Sequence, residues 1–169
     1  CNLASLNLMQ FRDAEGEFDI PAFEHAVRLW TVTLEISVLM AQFPSKEIAQ
    51  LSYEYRTLGL GFANIGGLLM AAGHSYDSHE GRAICGAISA VMTGIAYATS
   101  AEMASEVGAF PNYKKNAKHM LRVMKNHKLA AEGKASGYQG LSIQPVPLDT
   151  TSCPNKALIS AAAKAWDLA

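Results

Sequence analysis

A stretch of small residues between Asp77 and Val107 is the feature that most limits how this chain can fold. The stretch predicts one continuous helix, far longer than the usual length of about 11–12 residues. It contains many glycines, alanines and serines, although each glycine inside a helix costs roughly 1 kcal/mol. We therefore expect another element to approach this helix closely. Asp77, with Glu80 three residues later, is predicted to cap its start, and Gly108 to end it.

A second helix is predicted to start near Asp19, which can cap it, and Pro21, which fits its first turn. Two apolar rows run along this helix at intervals of three and four residues, and the second row consists of Leu29, Val32, Ile36 and Leu39. A helix that is apolar on two faces is expected to pack against other elements on two sides.

The rest of the pattern predicts two strands and several more helices. A short, well-buried strand is expected at 2–9, and a second strand, or a tight entry into a helix, at 56–62. Further helices are predicted at 45–55, 64–72, 116–131 and 155–169, with an irregular loop at 133–151. The chain is therefore predicted to be an α/β protein that is predominantly helical, and no boundary within 1–169 divides it into two domains.

Charge and cysteine content indicate the binding partners and the cellular compartment that are expected for the chain. The net charge of −1 gives no reason to expect a nucleic-acid or anionic-membrane surface. No uninterrupted apolar run reaches the ~18–20 residues of a membrane-spanning helix. Three widely spaced cysteines do not fit a secreted disulfide framework. A reducing, cytoplasmic setting is therefore expected.

Three local patterns are interpreted as structural. Gly59-Leu60-Gly61 resembles the start of a dinucleotide-binding fingerprint, but Asn64 replaces its third glycine, so a strand-to-helix turn is favoured. His74 and His79 are predicted to be exposed loop residues rather than zinc ligands. The basic residues between 114 and 128 are predicted to form a solvated helix face.

The first residue, Cys1, differs from the other two cysteines because it leads a strand. Strand ends are where α/β barrels place reactive groups. By contrast, Cys85 is predicted to be a small buried hydrophobe and Cys153 to lie in a loop. A folded domain rarely starts in this way, and the last helix reaches the chain end without a cap. Both ends are therefore expected to be cuts within a larger domain.

Several motifs resemble the catalytic subunit of ribonucleotide reductases. Two of them, found across reductase classes, are Cys1-Asn2-Leu3-Ala4-Ser5-Leu6-Asn7-Leu8 and Tyr55-Arg56-Thr57-Leu58-Gly59-Leu60-Gly61. Three others resemble the adenosylcobalamin-dependent class II enzymes in particular: Tyr76-Asp77-Ser78-His79-Glu80-Gly81-Arg82, Ala98-Thr99-Ser100-Ala101-Glu102-Met103-Ala104 and Asn116-Ala117-Lys118-His119-Met120-Leu121-Arg122-Val123. The resemblance extends over essentially the whole chain.

This resemblance implies a fold and a chemistry. The fold is a ten-stranded α/β barrel with a central finger loop, of which residues 1–169 would be an internal part with one or two strands and their outer helices. The chemistry is thiyl-radical reduction of a ribonucleotide to a 2′-deoxyribonucleotide. The resemblance assigns Cys1 as one of two electron-donating cysteines, because a dithiol can close to a disulfide and be reopened by exchange. It also suggests Asn2 and Leu3 as substrate contacts, since they continue from Cys1 along a strand facing the site.

The resemblance further implies cofactors and partners. Adenosylcobalamin is expected to be bound mainly by parts of the parent protein outside this chain, and the fragment alone is expected to be inactive. The expected partners are a ribonucleotide, a dithiol reductant such as thioredoxin, and the remainder of the parent chain, with no nucleic acid and no membrane. Neither the nucleotide level, di- or triphosphate, nor allosteric regulation follows from these motifs.

Two other interpretations of the whole chain stay open at this point. One is the large subunit of a class I ribonucleoside-diphosphate reductase, which works with a diiron partner subunit. The other is a non-enzymatic helical interaction module. A leading cysteine is also what protein splicing requires directly after an excised element, so an intein junction before Cys1 is a further hypothesis.

Overall fold

The computed structural model describes residues 2–169, which form eight main elements and one short turn of 3-10 helix. The two strands are β1 (Asn2–Asn7) and β2 (Leu58–Ala63), and a 3-10 turn at Leu8–Phe11 follows β1. The helices are α1 (Ile20–Met40), α2 (Lys46–Tyr55), α3 (Ile65–Ala71), α4 (His79–Val107), α5 (Tyr113–Ala131) and α6 (Lys156–Leu168). The predicted mixture of a few strands with many helices is confirmed.

The two strands form a parallel pair with α1 across one face. Asn2 lies opposite Leu58 and Asn7 lies opposite Ala63, so the two strands begin and end at the same level. Leu6 is buried, and Leu60 and Phe62 of β2 pack against the same core. A parallel connection needs a long crossover, and here α1 and α2 supply it between the strands.

Helix α4 is the centre of the core. Its buried residues include Ala87, Ile88 and Val91, each fully buried, and it packs against α6 on one side and α1 on another. By length and composition α4 could cross a membrane, yet 56% of its most apolar window is buried inside the protein. Its apolar character is thus accounted for by the core it occupies.

The helix ends follow the sequence closely, with one correction. Asp19 accepts a hydrogen bond from the Ala22 amide at 3.0 Å, so the predicted cap of α1 is confirmed. For α4 the predicted cap Asp77 is wrong: Ser78 caps the helix, because its hydroxyl oxygen accepts from the Gly81 amide at 2.9 Å. The Asp77 carboxylate instead pairs with Arg82, one turn into the helix.

Only one of the two apolar rows of α1 is covered within the described residues. Phe23 and Val27 are fully buried against the core. The second row remains substantially exposed and consists of Leu29, Val32, Ile36 and Leu39. Packing on two sides therefore stays a prediction for this helix.

Candidate active site

The candidate residues predicted from the sequence are Cys1 and the first two residues of β1, Asn2 and Leu3. The structure places the side chains of Asn2 and Leu3 on different faces of the strand. Cys1 lies outside the described residues. Asn2 and Leu3 lie on opposite faces of β1, because successive side chains of a strand alternate. The two residues therefore cannot both face one side of the sheet, and each remains a prediction as a substrate contact.

Asn2 lies on the helix-covered face. Its side-chain amide donates a hydrogen bond to the hydroxyl of Ser37 on α1 at 2.7 Å. A largely apolar cavity of about 330 Å³ opens beside it, lined by Asn2, Val38, Phe43, Leu51, Ser52, Tyr55 and Thr57. This hydrogen bond orients the Asn2 side chain toward α1 and ties the start of β1 to that helix.

Arg56 fixes the entry to β2 on the same side. Its guanidinium pairs with the Glu35 carboxylate and also donates to the Glu35 carbonyl oxygen at 3.1 Å. Its backbone has φ 48° and ψ 50°, which is left-handed geometry uncommon outside glycine. The chain therefore turns sharply from α2 into β2 at a residue that is bonded to α1.

The opposite face of the strand pair is open. Leu3 is 76% exposed, and Ser5 and Asn7 are exposed beside it. Register places Ser5 level with Gly61 on β2, and Leu3 level with Gly59. Beside Leu3 and Ser5, β2 therefore adds no side chain to this face, because positions 59 and 61 are both glycine.

Two asparagine side chains are hydrogen-bonded to each other on the open face, at the carboxyl ends of the strands. Asn64, just after β2, donates from its side chain to the Asn7 side-chain oxygen at 2.8 Å. The Met9 amide donates to the same oxygen at 3.2 Å. Asn64 has φ 69°, a conformation that asparagine tolerates better than most residues. The ends of the two strands are thus joined by a side-chain hydrogen bond as well as by the ladder.

Burial disfavours the thiolate form of both described cysteines. Burial raises the pKa of Cys153, which is fully buried and donates to the Asn155 carbonyl oxygen at 3.5 Å. Burial also raises the pKa of Cys85, which is half-buried on α4. Since the thiolate is the reactive form, both positions disfavour exchange chemistry.

The structure places each of the three patterns that were interpreted as structural. Gly59 and Gly61 lie within β2, and the predicted passage from strand to helix follows at Asn64, between β2 and α3. His74 and His79 belong to no group of three or more metal-binding side chains among residues 2–169. Most of the basic residues of α5 are exposed, and Lys128 pairs with Asp167 at 2.5 Å.

The family model described as "Ribonucleotide reductase, barrel domain" matches residues 1–167. This chain belongs to the ribonucleotide reductase barrel-domain family. The resemblance found in the motifs is therefore confirmed at the level of the family.

Named relatives of the reductase family refine this result. The chain is 65% identical, over its whole length, to the vitamin B12-dependent ribonucleotide reductase of Bradyrhizobium diazoefficiens. It is 62% identical, again over its whole length, to the protein of the same name from Agrobacterium fabrum. A vitamin B12-dependent ribonucleoside-diphosphate reductase of Mycobacterium tuberculosis is 29% identical over 67% of the chain. The predicted resemblance to the cobalamin-dependent class is confirmed by these similarities.

The chain spans about one seventh of the length of these reductases, 14% in the Bradyrhizobium protein and 13% in the Agrobacterium protein. The similarity therefore concerns a segment of the barrel domain, and the activity of a whole reductase is a matter for proposal.

Reasoning from the sequence did not single out Ser5, Gly61 or Asn64 as parts of one surface. The signal was present in the spacing, since Leu3, Ser5 and Asn7 alternate on β1 just as Gly59 and Gly61 do on β2. What the sequence lacked was the register of the two strands, which only the fold supplies.

Proposed function

We propose that this chain is part of the catalytic barrel of an adenosylcobalamin-dependent ribonucleotide reductase, an enzyme that converts ribonucleotides to 2′-deoxyribonucleotides. The observation that carries the proposal is the identity of 65% over the full chain to a vitamin B12-dependent reductase. A diiron class I enzyme is less favoured, because the relatives named above are B12-dependent. A non-enzymatic helical module is also disfavoured by the family match.

The fold supports the proposal at the level of one parallel strand pair. We propose that β1 and β2 are two of the ten strands of the complete barrel, with α1 and α4 packed outside them. The open face with Leu3 and Ser5 would then look into the barrel. In this arrangement residues 1–169 form part of a single domain, which other segments of the complete protein finish.

Cys1 is proposed to be one of the two electron-donating thiols. In the net reaction a dithiol gives up two electrons and closes to a disulfide, the ribose 2′-hydroxyl leaves as water, and hydrogen replaces it at that carbon. A dithiol such as thioredoxin then reopens the disulfide by exchange. Burial raises the pKa of both Cys85 and Cys153, so neither of these thiols is proposed for the exchange.

Adenosylcobalamin supplies the radical that starts the reaction when it is bound. Among residues 2–169 no three histidine, cysteine, aspartate or glutamate side chains come together to hold a metal ion. We assign none of the described residues to the cofactor. Its binding is proposed for other parts of the complete, cytoplasmic protein.

The test uses the complete purified protein with a ribonucleotide, a dithiol and adenosylcobalamin. The proposal expects deoxyribonucleotide formation that requires adenosylcobalamin and needs no second subunit. Activity that requires a diiron subunit and ignores the cobalamin would instead establish the class I alternative.

A cysteine variant tests the role of Cys1. Cys1→Ser is expected to abolish multiple turnover with a dithiol reductant while leaving cobalamin homolysis, followed by its absorbance change, largely intact. Cys85→Ser is the matched control and should retain turnover, because Cys85 is half-buried and disfavoured as a thiolate. Sustained turnover by Cys1→Ser would refute the assignment.

A further inference from the structure

Helix α5 concentrates positive charge on one face. The helix carries six of the chain's 14 lysines and arginines and none of its 15 aspartates and glutamates. Residues three, four, seven or eleven positions apart share one face of a helix. The cationic face of α5 therefore consists of Lys114, Lys118, Leu121, Arg122 and Lys125, all of them exposed.

No carboxylate within residues 2–169 forms a salt bridge with this face. In that part of the chain Lys128 is the one α5 residue with such a partner, and its ammonium lies 2.5 Å from Asp167 on α6. Lys114 and Lys118 are four positions apart, as are Lys118 and Arg122, and like charges at this spacing repel. Lys114 also lies in the first turn, where the helix dipole disfavours a positive charge. The helix is thus electrostatically unfavourable by itself, and local rules are broken in this way at functional sites.

Leu121 gives the cationic face an apolar centre. Its side chain is 60% exposed, and it lies between Lys118 and Lys125, three residues after one and four before the other. Protein interfaces combine an apolar centre with a polar rim. None of the five residues of the face is aromatic, as stacking on nucleic-acid bases requires, and one leucine is too little apolar surface to enter a membrane. The face therefore fits an acidic protein segment that carries an apolar side chain.

The length of the related reductases indicates where that segment comes from. The chain spans 14% of the Bradyrhizobium protein, so most of a complete protein of that size lies outside residues 1–169. A segment of the same polypeptide meets the face at a high effective concentration, which favours it over a separate protein.

We propose that the cationic face of α5 docks an acidic segment of the parent protein that lies outside residues 1–169. Carboxylates of this segment pair with Lys118, Arg122 and Lys125, and an apolar side chain covers Leu121. The inference concerns the assembly of the parent protein and does not depend on its reductase activity.

Carbodiimide crosslinking of the complete protein tests the proposal, because this reagent joins a lysine only to a carboxylate in direct contact. Mass spectrometry should find Lys118 or Lys125 joined to an aspartate or glutamate outside residues 1–169. The reagent does not join arginine, so Arg122→Glu should lower the yield at both lysines about threefold or more by reversing one charge of the pairings. Lys46→Glu makes the same charge reversal at the exposed start of α2, and this matched control should leave the yield unchanged.

Mixing unlabelled and isotope-labelled protein shows whether a crosslink lies within one chain or between two copies. Crosslinks that join two copies, or that stay within residues 1–169, would overturn the proposal. The absence of crosslinks at Lys118 and Lys125 would also overturn it, because that is the result for a solvated face. Single-stranded DNA that binds the wild type but not Arg122→Glu, without these crosslinks, would assign the face to nucleic acid instead.

Leu121→Ser tests the apolar part of the contact without any change of charge. It should lower the crosslinking yield at Lys118 and Lys125 while the melting temperature stays at the wild-type value, because Leu121 lies outside the core. An unchanged yield would overturn the apolar contact.

Discussion

Gly94 on α4 lies so close to Ala165 on α6 that a Cβ atom at position 94 would come within 2.8 Å of the Ala165 Cβ. The same added atom would be 3.0 Å from the Ala165 carbonyl carbon and 3.2 Å from the Trp166 nitrogen. The glycine thus lets the two helices touch at backbone distance, which is the close approach that the small residues of α4 predicted.

Gly94→Ala is expected to destabilise the protein. The obstructing atoms belong to a Cβ and to backbone, which cannot move aside as the end of a long side chain can. Overpacking of this kind typically costs about 1–3 kcal/mol, more than alanine regains through a helix propensity up to about 1 kcal/mol better than glycine. The melting temperature of the complete protein should therefore fall.

Gly86→Ala is the matched control for this variant. At Gly86 the nearest atom to an added Cβ is the flexible end of Leu148, at 3.0 Å, which can shift. This substitution should leave the melting temperature unchanged or raise it through helix propensity. Equal responses of the two variants would show that the α4–α6 contact is looser than the structure indicates.

Sequence patterns were most informative where a local rule decides the structure. The Asp19 cap, the extent of α4 and the helix at Lys46–Tyr55 all follow from capping and periodicity. The α4 cap was misassigned because Asp77 and Ser78 are both good capping residues, and only the observed backbone shows which hydroxyl or carboxylate reaches the Gly81 amide.

Contacts between residues that are far apart in the sequence could not be predicted from capping and periodicity. Asn126 on α5 is buried, and its side chain both donates to and accepts from the backbone of Gln139 at 2.9 Å, which anchors the 133–151 loop. No spacing rule links two residues across such a loop. The candidate site was predictable as a strand led by Cys1, but its open face required the pairing of β1 with β2.

The two described cysteines should differ in their reaction with iodoacetamide. Cys153 is fully buried, whereas Cys85 is half-buried, and burial raises the pKa of both thiols and so lowers their thiolate fractions. In the native protein at pH 8, labelling at Cys85 should precede labelling at Cys153, and both should be slower than in urea. Mass spectrometry of timed samples measures the two rates. Native labelling of Cys153 as fast as in urea would contradict its burial.

Asp149 is expected to make the turn before α6 sensitive to acid. One of its carboxylate oxygens accepts from the Thr151 amide at 3.0 Å, the Thr151 hydroxyl at 2.7 Å and the Ser152 amide at 3.0 Å. Hydrogen bonds from Ser152 and Thr151 favour the charged form and hold the pKa of Asp149 well below its usual range.

The sign of the effect follows from that lowered pKa. A carboxylate with a depressed pKa in the folded state stabilises the fold fully above its unfolded pKa of about 3.9, and this contribution is lost as the pH falls toward the folded value. Asp149→Asn keeps an acceptor oxygen but removes the charge. The difference in melting temperature between wild type and Asp149→Asn should therefore be constant from pH 8 to pH 5 and shrink below pH 4. A difference that grew on acidification would show that the carboxylate is not held in its charged form by this turn.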